Sequence, residues 1–305
     1  MDAVPPVHIA PRPVLPNRTP GADRRVGVEI EFLGLSARAA AMALARHYGS
    51  VAEAEDPHAW RIQGTRLGDI AVEMDLRHVH PRRRADLMVK PGAQAAALLG
   101  RLLSPVVPRE LIVAPVAAAC LPEIDAAVSI LRAAGARGCG VVLLDSLGLH
   151  FNIEVPAADA ATVASTLKAF LILEPRLRRE IAQGSLRRHL ALPPHYPAAY
   201  RRRVLDPAYW PAVPALMTDY LAANPSRKRG LDLLPLFAHL DEDRVRAVLP
   251  REKISPRPVF HYRLPQACPG VPGWSVMPDW ERWLAVEALA ANQAELLAWS
   301  RISRG

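Results

Sequence analysis

The chain has 305 residues, half of them apolar, with 22% charged side chains. That is enough for a sizeable core, and it fits neither a disordered chain nor a membrane protein, because no run approaches the roughly 20 apolar residues of a membrane helix. The net charge of +8 comes from 38 basic residues, of which only Lys90, Lys168, Lys228 and Lys253 are lysines. So strong an Arg bias, beside abundant Ala and Pro, reads as compositional. The Arg clusters at 82–84, 178–179, 187–188 and 201–203 are therefore taken as solvated faces or structural ion pairs rather than as a nucleic-acid surface.

Residues 1–22 contain six prolines and no periodicity, which predicts an extended arm; Asp2 and the prolines exclude a signal peptide. Residues 23–305 form the remaining unit, a single α+β domain. Helical periodicity marks 36–48, 93–103, 122–134, 157–183 with a break at Pro175, 214–222, 231–248 and 278–299. Ser36 is placed as an N-cap, Gly49 and Gly135 lie just past helix ends, and Pro122 suits a first turn. The stretch 184–213, dense in Pro, Arg and Tyr, reads as an insertion or lid. Cys120, Cys139 and Cys268 are scattered and odd in number, which fits a reducing cytoplasm and argues against a disulfide scaffold or a zinc site.

The strand-like segments carry the chemistry. In VGVEIEFLGL, Val28, Ile30 and Phe32 alternate with Glu29 and Glu31, so the two carboxylates share one face of a strand. GDIAVEMDLR sets Ile70, Val72, Met74 and Leu76 against Glu73, Asp75 and Arg77. GLHFNIEV sets Leu149, Phe151, Ile153 and Val155 against His150, Asn152 and Glu154, and PVFHYRLP sets Phe260, Tyr262 and Leu264 against His261 and Arg263. A fifth segment, RELIVAPV, carries Glu110 at its start, just after Pro108 and Arg109. A solvated sheet face normally carries Thr, Ser, Lys and Gln. Here it carries acids, histidines, Asn and Arg. Carboxylates abreast on neighbouring strands repel unless a cation neutralises them, and oxygen ligands with one or two imidazoles suit Mg²⁺ or Mn²⁺ better than zinc. No P-loop, dinucleotide fingerprint, G-x-S-x-G elbow or H-E-x-x-H occurs.

The E-x-E of RVGVEIEF, the later E-L-I-V-A-P, the G-L-H-F-N strand and the terminal F-H-Y-R-L-P resemble, in order and spacing, the strands of the amidoligase family. That family lies within the glutamine synthetase and glutamate–cysteine ligase superfamily of ATP-dependent carboxylate–amine ligases. The resemblance covers about residues 24–290 and implies a curved antiparallel sheet with helices on one face, glutamine synthetase catalytic-domain-like, holding ATP and two or more Mg²⁺ (or Mn²⁺) on its polar face. It assigns Glu29, Glu31, Glu110 and His150 as metal ligands, with His150 also near the ATP phosphates. Asn152 stands where many relatives have a second histidine and joins the nucleotide site. Asp75 faces the substrate pocket and Arg263 the transferred phosphate. His261 occupies a position that is usually Glu; an imidazole there can still hold a divalent ion, with one negative charge fewer. The turn NPSRKRGLDLLPL matches a basic turn at the nucleotide site, implicating Arg227 and Arg229.

The reaction so implied joins a carboxylate, which can belong to a peptide or amino acid, to an amine or to ammonia supplied by a glutaminase partner. It runs through an acyl phosphate, with Asp75 or Glu73 taking the amine proton. No membrane partner is expected. A nucleic-acid-binding protein would leave the acids and histidines of one sheet face unexplained and has few aromatics for stacking. A kinase-like or catalytically silent relative would keep the fold and change the product.

Overall fold

The computed structural model describes residues 24–76, 80, 98, 107–139 and 147–303. The expected arm, the helix at 93–103 (apart from Leu98), Arg77 and the Arg cluster at 82–84 lie outside these residues.

Among the described residues, eight strands form one antiparallel sheet: β1 (Arg25–Phe32), β2 (Ala52–Asp56), β3 (Ala59–Thr65), β4 (Gly68–Met74), β5 (Arg109–Ala117), β6 (Leu149–Glu154), β7 (Leu231–Asp232) and β8 (Val259–Tyr262), in the order β2-β3-β4-β5-β1-β6-β8-β7. This is the expected α+β class. The helices are α1 (Ala37–Tyr48), α2 (Leu121–Ala133), α3 (Ala160–Ala182), α4 (Leu186–Ala191), α5 (Ala198–Val204), α6 (Val213–Ala223), α7 (Leu234–Leu240), α8 (Glu242–Val248), α9 (Met277–Ala291) and α10 (Gln293–Ser303). The alternation read from sequence sorts the sheet as expected. Val28, Ile30, Val72, Leu111, Phe151 and Tyr262 are buried in one continuous core. On that face Phe151 meets Trp280 of α9, and Tyr262 packs against Phe170 of α3 and Trp283 of α9. Helix α1 lies against β3 and β4. Its start is fixed where expected, with Ser36 Oγ accepting from the Ala39 N–H at 3.1 Å, and its end by Gly49 in the left-handed conformation at φ 65°.

Several expectations are corrected. Pro175 does not break α3. The helix is buried on both sides of the proline, at Leu171, Glu174, Leu177 and Arg178, and this packing outweighs the one lost backbone bond. The stretch 231–248 is not one helix. Leu231–Asp232 pairs with β8, Pro235 opens α7, and the Asp241 side chain caps α8 through the Arg244 N–H at 3.0 Å. Asn292 divides 278–299 into α9 and α10 by accepting from the Glu295 N–H. Strand β2, at the edge of the sheet, carries no clear apolar alternation. Its Ala, Glu and Asp residues suit an edge, which has little to bury and much to gain from charge.

The 184–213 stretch holds α4 and α5 and is tied down by cations. Lys168 of α3 donates to Val204 O and Asp206 O, Arg178 to Pro193 O at 2.6 Å, and Arg229 to His195 O. Two bridges, Leu33 with Arg137 and Gly148 with Gln266, bring 137–139 and 266–268 to the same end of the sheet, where Cys139 and Cys268 form a disulfide across 129 residues. The scattered cysteines argued against a disulfide scaffold, and topology nonetheless brings two of them into one bridge; Cys120 is free. No helix among the described residues is long and apolar enough to cross a membrane.

Candidate active site

Strand register aligns the polar residues in rows. Glu31 of β1 sits opposite Glu110 of β5, which sits opposite Glu73 of β4, so three carboxylates lie abreast. One step along β1, Glu29 faces His150 of β6. A third row runs from Asn152 of β6 to His261 of β8 to Asp232 of β7. Period two places Glu29 and Glu31 on this face, and likewise Gly148, His150 and Asn152. Gly148 is required there: a Cβ would lie 3.1 Å from His150 Cδ2 and Cε1 and closer still to Nε2, so the imidazole rests where any side chain would stand.

Two groups of ligand atoms result, each with all members within 4.8 Å of one another: Glu29, His150 and His261, and Glu31, Glu110 and His150. They share His150. Glu29 Oε2 lies 3.4 Å from His150 Nδ1 and 3.8 Å from His261 Nε2, and its Oε1 accepts from Asn152 Nδ2 at 2.8 Å and lies 3.8 Å from Arg257 Nη1. Glu31 Oε2 accepts from the Gly148 N–H at 2.8 Å. Asn152 Oδ1 and both ring nitrogens of His261 are buried without a well-formed protein hydrogen bond. Orphaned buried donor atoms beside facing carboxylates are what a divalent cation satisfies, so the residues fit Mg²⁺ or Mn²⁺.

The electrostatics agree. Burial, then the charges of Glu29, Asp75, Glu31 and Glu73, push the Glu110 carboxyl well above its usual range. Burial also raises Glu31, with Asp75 adding to it against the pull of His150, the Gly148 N–H and Arg263. Burial would raise Glu29 too, but the hydrogen bond from His150 and the positive neighbours, Arg257 among them, hold it well below. Burial drives His261 down to about 4, so its imidazole is neutral at physiological pH and has a lone pair to offer. Burial would raise Asp232 too, but the facing His261 ring, with Arg227 and Arg263, outweighs it and keeps the carboxyl low.

A cavity of about 230 Å³ opens beside the cluster. Glu31, His150, Arg263, Lys228 and Gln266 line it, and Ala191–Pro194 of the 184–213 stretch close one side. A larger depression, about 630 Å³, lies between Tyr209, Trp210, Arg203 and Arg244 and contains none of these groups. The structure therefore gathers Glu29, Glu31, Glu110, His150, His261, Asn152 and Arg263. Glu73 flanks Glu110, and Asp75 is near enough for its charge to raise both Glu31 and Glu110. Arg227 and Arg229 do not join them. Arg227 is engaged by Asp232 and Lys253 O, and Arg229 by Asn224 Oδ1 at 2.9 Å and by the carbonyl of His195. Lys228, between the two, is the residue that reaches the cavity. Sequence reasoning also missed Asp232, hidden in a stretch that reads as helix, and His80, whose ring bridges Asp56 Oδ2 at 2.7 Å and Met74 O at 2.8 Å at the end of β4.

Fold and site together define an α+β protein with a carboxylate–imidazole cluster on the polar face of an open antiparallel sheet. A family model described as "putative amidoligase enzyme" matches residues 22–285, and the chain belongs to that family. Membership supports a ligase-type function. No curated protein and no solved structure matches the chain.

Proposed function

We propose that the protein is an ATP-dependent carboxylate–amine ligase that forms an amide bond through an acyl phosphate. The observation that carries this reading is the pair of ligand groups hinged on His150, beside a cavity that also holds Arg263 and Lys228. Bound Mg²⁺ or Mn²⁺ would supply charge neutralisation for the phosphates. Glu29 and His261 would hold one ion and Glu31 and Glu110 another, with the single lone pair of a neutral His150 completing one of the two.

A carboxylate oxygen of the substrate attacks the γ-phosphorus of ATP, and ADP leaves. The amine nitrogen then attacks the acyl carbon, and phosphate leaves in place of the poor hydroxide. Arg263 and Lys228 line the cavity beside Glu31 and His150, where their positive charge stabilises the transferring phosphoryl group. Asp75 or Glu73, on the acidic side of the cluster, takes the amine proton. The wall of Ala191–Pro194 limits the access of water, which would hydrolyse the acyl phosphate. The substrates are a carboxylate, as in a peptide or amino acid, and an amine or ammonia.

The experiment incubates the protein with ATP, Mg²⁺ and pooled carboxylates and amines and identifies products by mass. ADP, phosphate and an amide support the reading. ADP with a phosphorylated guanidine, or no turnover across a broad pool, refutes it.

A further inference from the structure

We infer that Asp232 is the positioning residue that turns His261 into a metal ligand. This deepens the proposed function and rests on the metal-site reading of the cluster. A neutral imidazole has one N–H and one lone pair, so it can ligate through Nε2 only if Nδ1 carries the proton. His261 is 1% exposed, and its ring is turned with Nε2 toward Glu29 Oε2 at 3.8 Å and Nδ1 toward Asp232 Oδ2 at 3.5 Å. Asp232 is fully buried and, as a carboxylate, can only accept. It therefore selects the tautomer with Nδ1–H and leaves the Nε2 lone pair facing the cluster. The 3.5 Å separation is long for a hydrogen bond, but Asp232 Oδ2 is the nearer of the two carboxylate oxygens that face the ring, Glu29 Oε2 lying 3.8 Å from Nε2.

Asp232 is itself held from two sides. Its Oδ1 accepts from the Leu234 N–H at 3.0 Å, and Arg227 Nε lies 3.4 Å from its Oδ2. The two-residue strand β7 sets it directly opposite His261 in register. The Arg227–Asp232–His261 chain thus gives Arg227, which otherwise stands outside the site, a role in it. It also places a negative charge behind the imidazole, so that Asp232 and His261 together present to a cation much of what a carboxylate would.

The test has two parts. In the wild-type protein without metal, ¹⁵N-histidine NMR reads which ring nitrogen of His261 carries the proton. The expected result is Nδ1–H, and a proton on Nε2 overturns the inference whatever metal binding shows. The second part measures Mn²⁺ affinity by EPR for wild type, Asp232→Asn, His261→Glu and the double variant. Asp232→Asn keeps the shape and alters the acceptor, and it should weaken Mn²⁺ binding about 10–100-fold in the wild-type background. In the His261→Glu background the same change should leave affinity unchanged or raise it, because a carboxylate at 261 needs no tautomer and is repelled by Asp232. An equal loss in both backgrounds would mark Asp232 as merely structural and refute the inference. If wild type binds no Mn²⁺, the ligase reading fails, while the NMR result still decides the tautomer.

Discussion

Lys168 offers a test of how the 184–213 stretch is anchored. Its side chain is fully buried, donates to Val204 O and Asp206 O, and lies over Trp210 at 5.0 Å. Burial lowers its pKa from 10.5 to about 8, with Asp206 opposing the shift. Between those values the unfolded chain binds the proton that the native lysine has lost, so this group's contribution to stability rises with pH. From pH 7.5 to 9.5 the gain is RT ln of a proton-binding ratio of about 20, or about 2 kcal/mol. The six tyrosines, all pushed upward by burial first, work in the opposite direction as the unfolded phenols begin to ionise. Lys168→Met keeps the tyrosines and removes the lysine, so the difference between the two proteins isolates Lys168. The assay is urea unfolding of both at pH 7.5 and 9.5. The variant should be less stable at both, with two carbonyls left unpaired, and its disadvantage should widen by about 2 kcal/mol at the higher pH. Parallel pH dependence in the two proteins would refute the reasoning.

Gly148→Ala should push the His150 ring from its place and weaken Mn²⁺ binding about 10–100-fold with little change in melting temperature, read by EPR and calorimetry; unchanged affinity in a folded variant contradicts it. Glu110→Gln should raise the melting temperature of the metal-free protein on the order of 2–5 °C at pH 7, because the native carboxyl lies above its unfolded value of 4.5 and costs stability once it must ionise. That advantage should close as pH falls toward 4.5, while Mn²⁺ affinity drops about tenfold or more at pH 7. Reduction of the Cys139–Cys268 disulfide should lower stability by about 2–5 kcal/mol, and alkylation should find one thiol before reduction and three after. Three thiols without reductant would exclude the bridge.

Much of the site was legible because a strand's period of two is a strong constraint. Once Glu29 and Glu31 alternate with three apolar residues, they must share a face, and the same holds for His150 with Asn152 and for His261 with Arg263. Register was not legible. Nothing in the sequence alone sets Glu73 opposite Glu110 or Asp232 opposite His261, since both pairings join segments far apart in the chain. Asp232 was lost for a second reason: two residues are too few for any periodicity, and the apolar pattern of α7 absorbed them. In the turn Arg227-Lys228-Arg229 charge was legible and direction was not, so the flanking arginines were favoured over the lysine that lines the cavity. Pro175 was over-read, because propensity gives way where α3 is buried around it. The cysteine bridge depends on topology, which brings together two ends 129 residues apart.

The central claim is that the polar face of the sheet holds two divalent ions side by side about His150, with the phosphates of ATP beside Arg263 and Lys228. Crystals grown with Mn²⁺ and a non-hydrolysable ATP analogue, with data collected at the manganese edge, test it directly. The account predicts two anomalous peaks, one within coordination distance of Glu29 and His261 and one within coordination distance of Glu31 and Glu110, with His150 ligating one of them and the terminal phosphate in the cavity lined by Arg263 and Lys228. A nucleotide bound elsewhere, or manganese absent from both groups at saturating concentration, would contradict it.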